Sequence, residues 1–173
     1  YFSHSVKEHL NHILSKTKIP VINIGGFDEN FMNIICDDSH SFHEIVSHLI
    51  EAHNCKDIYH IAGIPDKAFT QERHEAYKSA LIAHYIEYDP AKVYYGTLWR
   101  DCGEPALDYI LDHCAKRGKK YPDAVICAND YSAIGLIIAC KNRGIRVPED
   151  MIVTGFDGVD DAGGADFFVL VGG

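Results

Sequence analysis

The amino-acid sequence predicts a doubly wound α/β fold, a parallel sheet covered by helices on both faces. Three observations predict it. Apolar runs of strand length recur along the 173 residues, stretches with helical spacing of apolar positions lie between them, and the joints are short. Strand and helix taking turns is the mark of a parallel sheet, because parallel neighbours need a crossover and a helix supplies it.

The elements follow in order. Residues 5–16 place Val6, Leu10, Ile13 and Leu14 on one helical face. IPVINIGG (Ile19–Gly26) and MNIICDD (Met32–Asp38) are short apolar strands. SFHEIVSHLIEAH opens with Ser41 and Glu44 in capping-box spacing and carries Ile45, Val46, Leu49 and Ile50 on one face. DIYHIAG (Asp57–Gly63) is a strand, and Thr70–Tyr85 a helix with Tyr77, Ala80 and Leu81 inward. KVYYG (Lys92–Gly96) is a strand and Gly103–Lys116 a helix. The strand DAVICA leads into a helix over Asp130–Asn142, and MIVTGFD (Met151–Asp157) is the last strand of the series.

Bulk properties remove several function classes. A hydrophobic content of 47% excludes a disordered chain, and a net charge of −9 without a lysine or arginine run excludes a nucleic-acid face within it. No apolar stretch reaches membrane-span length, and YFSHSVKEHL is not a signal peptide. The six cysteines form no CxxC pair and sit in apolar patterns, which reads as buried thiols in a reducing compartment, the cytoplasm. His43 and His48 are five apart, so HEIVSH is not the HExxH of a zinc protease. GxGxxG, GxxxxGK[ST] and GxSxG are all absent. No catalytic residue, metal site or cofactor is expected.

In sheets of this kind ligands bind beyond the carboxyl ends of the strands. The polar residues just past the apolar runs are Asp37 and Asp38, the loop from Gly63 to Arg73, Trp99, Asn129 and Asp130, and Asp157. Together they furnish a cleft for a small polar molecule. Several have a plainer reading as well. Asp130 fits a helix cap, and Asn129 suits either a turn or a hydroxyl-rich ligand. Arg73 on its own residues reads as a solvated helix arginine beside Glu72 or Glu75. Trp99 reads equally as a hinge-side packing residue and as a stacking platform.

At this point the sequence resembles the ligand-binding domain of LacI/GalR-type transcription regulators, which share the fold of type I periplasmic sugar-binding proteins. KIPVINIGG looks like the first lobe's IPVV-type strand, and CDDSHSFHEIVSHLIEAHNCKDIYHIAG resembles the family's Asp, helix, turn and strand, with Asn54 where a glycine is usual. QERHEAYKSAL resembles the R-x-x-G-[YF] helix, with Arg73 in place and Ala76 instead of glycine. PDAVICANDYSAIGLIIACKNRGIRVPEDMIVTGFDGVDD is the closest match, and coverage runs from about Ile19 to Asp161.

The resemblance implies a periplasmic-binding-protein-like fold with one nearly complete lobe and part of another. Residues 1–33 would belong to the first lobe and 34–161 to the second. The tail 162–173 would be a strand that resembles the first-lobe strand preceding residue 1. It implies a sensor for a small effector, a sugar or a related polyol or nucleoside, with Arg73, Asn129 and Asp157 as contacts. Asp37 or Asp38 would line the cleft and Trp99 would stack on a sugar ring. It further implies a homodimer, no membrane partner, and DNA contact only through a headpiece outside this chain. GGADFFVLV also faintly resembles the GGDEF signature of diguanylate cyclases. The alternatives are therefore a sensor fused to such a cyclase, or an engineered or truncated fragment that no longer binds. An enzyme would have to assemble Asp37, Asp157 and a histidine.

Overall fold

A computed structural model describes residues 4–17, 19–24, 29–35 and 37–159. The tail 162–173 and Cys36 lie outside the described residues. The chain divides into two compact units between Asp37 and Asp38.

The smaller unit holds α1 (His4–Leu14), β1 (Ile22–Ile24) and β2 (Met32–Ile34). The two strands pair in parallel with Asn23 opposite Asn33, and the Asn23 amide donates to the Asn33 side-chain oxygen at 2.9 Å. Both strands are shorter than the apolar runs that predict them. Pro20, with no N–H to give a ladder, precedes β1, and Asp38 belongs to the following helix. Ile22, Ile24, Met32 and Ile34 are all exposed within this unit.

The larger unit contains α2 (Asp38–Glu51), β3 (Ile58–Ile61), α3 (Ala68–Ala83), β4 (Val93–Tyr94), α4 (Gly103–Lys116), β5 (Ala124–Cys127), α5 (Asp130–Asn142) and β6 (Ile152–Thr154). Its four strands are parallel in the order β4-β3-β5-β6. Alternate residues of β3 point to opposite faces, as a pleated strand requires. Tyr59 and Ile61 join Leu107, Ile110 and Leu136 under α4 and α5. Ile58 joins Phe42, Val46, Leu49 and Tyr77 under α2 and α3. The crossovers from β3 and from β5 therefore leave toward opposite faces, which opens a crevice between neighbouring strands at the carboxyl edge.

One local expectation needs correction. Ser41 and Glu44 do not cap α2, because the helix begins three residues earlier at Asp38. A carboxylate in the first turn suits the helix dipole, and Phe42, Ile45, Val46 and Leu49 give the turns that follow their buried face. Asn54 adopts a φ of 54°, the left-handed conformation that asparagine tolerates best after glycine. α5 also approaches its neighbours without room for side chains. A Cβ on Gly135 would lie 2.3 Å from the Arg100 carbonyl oxygen, and one on Gly103 2.1 Å from the Gly135 carbonyl carbon.

The amino edge of the sheet is closed by charge. Asp57, almost wholly buried, receives Lys92 at 2.9 Å, Lys119 at 2.8 Å and Arg117 at 2.9 Å. Although burial alone would push its carboxyl up, hydrogen bonds from Lys119, Lys92 and Arg117 outweigh it and hold the pKa at about 2. Cys55, Cys102, Cys114, Cys127 and Cys140 are free and buried. No helix among the described residues is long and apolar enough to cross a membrane.

Candidate functional site

The carboxyl edge of the larger unit gathers most of the polar residues singled out by sequence. Arg73, in the second turn of α3, is only 8% exposed, so it is not a solvated helix arginine. Its Nη2 donates to Asp38 Oδ2 at 2.7 Å and to Asp157 Oδ1 at 3.1 Å, and its Nε also reaches Asp38. Its Nη1 donates to the Ala128 carbonyl oxygen at the end of β5. The guanidinium lies over the Phe156 ring at 4.2 Å, a cation–π contact that covers one face of the charge. Neither Glu72 nor Glu75 is a partner; four bonds to distant parts of the chain hold this side chain instead.

Asp157 follows β6 with a φ of 104°, a backbone conformation that L side chains adopt rarely. Such strain persists where surrounding contacts fix it, and here the Arg73 bond does so. Burial raises the Asp157 carboxyl above its ordinary range, and the Arg73 charge opposes that only in part. The side chain is still 41% exposed, so it has capacity for a further partner. Of the two adjacent carboxylates after β2, Asp38 meets Arg73. Asp37 is exposed and belongs to the smaller unit.

Asn129, not Asp130, is the N-cap of α5. Its Oδ1 accepts from the Ser132 N–H at 3.0 Å and from the Ser132 hydroxyl at 2.7 Å, while its Nδ2 donates to the Leu98 carbonyl at 3.0 Å. That leaves one amide N–H of Asn129 without a partner. Asp130, the first residue inside the helix, is wholly buried and accepts the Val159 N–H at 2.8 Å. The Asn129–Leu98 bond also places Trp99, which is 65% exposed and whose ring rests against Tyr131 with centroids 5.5 Å apart.

Two groups thus line one edge, the Arg73 cluster and the Asn129–Trp99 pair, joined through the backbone at Ala128 and Asn129. Phe156 and the carbonyls of Ala128 and Leu98 escape sequence reasoning, since an aromatic face and a backbone oxygen carry no motif. Among the described residues no group of three His, Cys, Asp or Glu side chains is placed to hold a metal ion. Chemically, the edge offers a fixed guanidinium, two carboxylates, one free amide N–H and an exposed indole. That set suits a neutral molecule with neighbouring hydroxyls and an apolar face.

Comparison with known proteins agrees with this fold. The profile of the periplasmic binding protein-like domain matches residues 46–166. The probable HTH-type transcriptional repressor ExuR of Bacillus subtilis is 34% identical over 149 residues, covering 86% of this chain and 43% of that protein. The HTH-type transcriptional repressor PurR of Haemophilus influenzae is 29% identical over 160 residues, covering 91% of this chain and 45% of the other. The chain thus spans less than half the length of these curated relatives. Among solved structures, a sugar-binding transcriptional regulator of the LacI family from Escherichia coli, complexed with phosphate, superposes with a TM-score of 0.74 at 26% identity, over 90% of this chain and 54% of that one. The matches lend no support to a cyclase-coupled sensor. The chain belongs to the periplasmic binding protein-like domains, as a ligand-binding domain of the LacI/GalR type.

Proposed function

We propose that this chain senses a small hydroxyl-rich effector, a sugar or a close relative, on behalf of a LacI-type transcriptional regulator. Arg73, Asn129, Asp157 and Asp38 bracket the hydroxyls in this reading, and Trp99 stacks on the ring. Asp37 is left as a residue of the connection to the first lobe. The observation that carries the reading is the state of Arg73: pinned by four bonds, yet bordered by an Asp157 carboxylate that stays 41% exposed. A pre-set charge beside a half-open acceptor is how a binding site avoids the entropy of ordering itself around a ligand.

The role is binding, not turnover, with lobe closure as the signal. Residues 34–161 serve as the second lobe and residues 1–33 as part of the first. The regulator works in the cytoplasm as a homodimer and meets DNA through a headpiece outside this chain. The tested ligands are monosaccharides, sugar phosphates and nucleosides, each added to the chain in a thermal-unfolding assay. A ligand at a hundred times its dissociation constant stabilises the fold by about 2.7 kcal/mol. The expected result is a hit among the sugars that Asp157→Ala abolishes. A hit indifferent to Asp157→Ala, or silence from a chain that melts cooperatively, overturns the reading.

A further inference from the structure

The interface of β3 with α3 contains a polar group of unusual composition. His60, at the centre of β3, is wholly buried. Its Nδ1 pairs with the Ile126 carbonyl oxygen at 3.0 Å. Only an N–H can meet a carbonyl, so the proton sits on Nδ1 and Nε2 is a bare acceptor. That Nε2 has no partner. Facing it is His74 of α3, with ring centroids 6.0 Å apart. His74 Nε2 meets the Tyr88 hydroxyl at 3.1 Å, while its Nδ1 is buried without a partner. Thr70 lies one turn earlier on the same stripe of α3, 1% exposed, and its Oγ1 is buried and unpartnered as well.

Three of the five buried side-chain atoms without partners among the described residues thus fall on this one strand–helix contact. The walls are aromatic. Phe42 meets His60 edge-on at 5.3 Å and Tyr77 lies against it at 5.2 Å. Burial also holds the His60 pKa down at about 3, so the imidazole is neutral at physiological pH. Buried polar atoms in native proteins find partners, and where side chains do not supply them an internal water does.

We propose that β3 and α3 hold one ordered internal water molecule, which donates a hydrogen bond to His60 Nε2 and pairs with His74 Nδ1 and the Thr70 hydroxyl. The bare His60 Nε2 calls for a donor, while His74 Nδ1, a donor or an acceptor according to which way the Tyr88 bond runs, and the Thr70 hydroxyl call for a partner that can do either; water is the smallest neutral molecule that both donates and accepts. A cation fits poorly. Its hydration shell cannot be replaced by Phe42 and Tyr77, and Arg73, the residue before His74, already presents positive charge to His60. An anion would face the lone pair of His60 Nε2. The water ties the strand to the helix directly behind Arg73, so it fixes the register of α3 that aims the guanidinium at Asp38 and Asp157.

The test combines a crystal structure at a resolution that shows ordered solvent with NMR of the imidazole nitrogens and of water-to-protein cross-relaxation. The expected result is a solvent peak within hydrogen-bond distance of all three atoms, and cross-peaks from a long-lived water to His60 and His74. Thr70→Val should lose the water and lower the Tm, whereas Thr70→Ser keeps both. Three outcomes overturn the proposal: direct pairing of these side chains with no solvent between them, a metal ion at the position with a Tm that falls on chelation, or a Thr70→Val protein with water and Tm unchanged. Should Thr70→Val fail to fold, the density and cross-peaks of the unsubstituted chain decide.

Discussion

The two ends of the four-stranded sheet carry opposite arrangements of the same chemistry. At the amino edge one carboxylate, Asp57, is enclosed by three cations and is 3% exposed. At the carboxyl edge one cation, Arg73, is held by two carboxylates that stay 25% and 41% exposed. A buried charge with several partners sits in a setting where water cannot screen it, so losing one partner is expensive. An exposed pair is screened and contributes little to stability. The first arrangement closes the sheet; the second leaves charge available to something outside the protein. Under the proposed function, structure and function are thus separated along the strand axis.

The comparison can be broken most forcefully at Asp57. Asp57→Asn strands three cations around a neutral amide and should cost about 3–5 kcal/mol in urea unfolding. The effect of acid is smaller and has a defined sign. Because folding depresses the Asp57 pKa to about 2 from 3.8, its contribution is complete above pH 3.8 and is lost as pH falls through 2. The loss amounts to about 2 kcal/mol. Buried His60 adds to it over a different window. Its pKa of about 3, below the ordinary 6.5, means that its contribution is complete above pH 6.5 and is lost as pH falls toward 3. Asp157 runs the other way, since its carboxyl is raised and protonation relieves the folded state. An acid titration followed by circular dichroism should therefore be shallower for Asp57→Asn and steeper for Asp157→Asn. The smallest effect sharpens the contrast: Asp157→Ala should change stability by less than about 1 kcal/mol while removing effector binding.

Much of this was legible in the sequence, and the limits have physical causes. The alternation of strand and helix periods locates all eleven described helices and strands, because periodicity is a local property. Gly103–Lys116 and Asp130–Asn142 have the predicted ends. Strands come out shorter than their apolar runs because a run records burial, whereas a strand needs a partner ladder. Asn129 and Asp157 stand out as polar residues just past strand ends, and Arg73 stands out through the family resemblance. Their partners do not. Arg73 meets Asp38 across 35 positions and Asp157 across 84, and no local pattern encodes such pairings. The choice between Asp37 and Asp38 is likewise invisible, since either carboxylate ends the same run. Ser41 and Glu44 have capping-box spacing inside a helix that begins earlier, and only the buried face tells the two cases apart.

The commitments of Asn129 bear on how such a domain can be retuned as a biosensor. Its amide oxygen and one of its N–H groups are occupied in starting α5 and in anchoring the Leu98 loop. Changing this residue to alter ligand preference would loosen the platform on which every other contact stands. Trp99 and Tyr131 have no such duty: they rest on each other at the rim, with the indole largely in solvent. Under the proposed function, libraries directed at those two positions would search ligand preference with the scaffold intact, whereas libraries directed at Asn129 would mostly sample damaged folds.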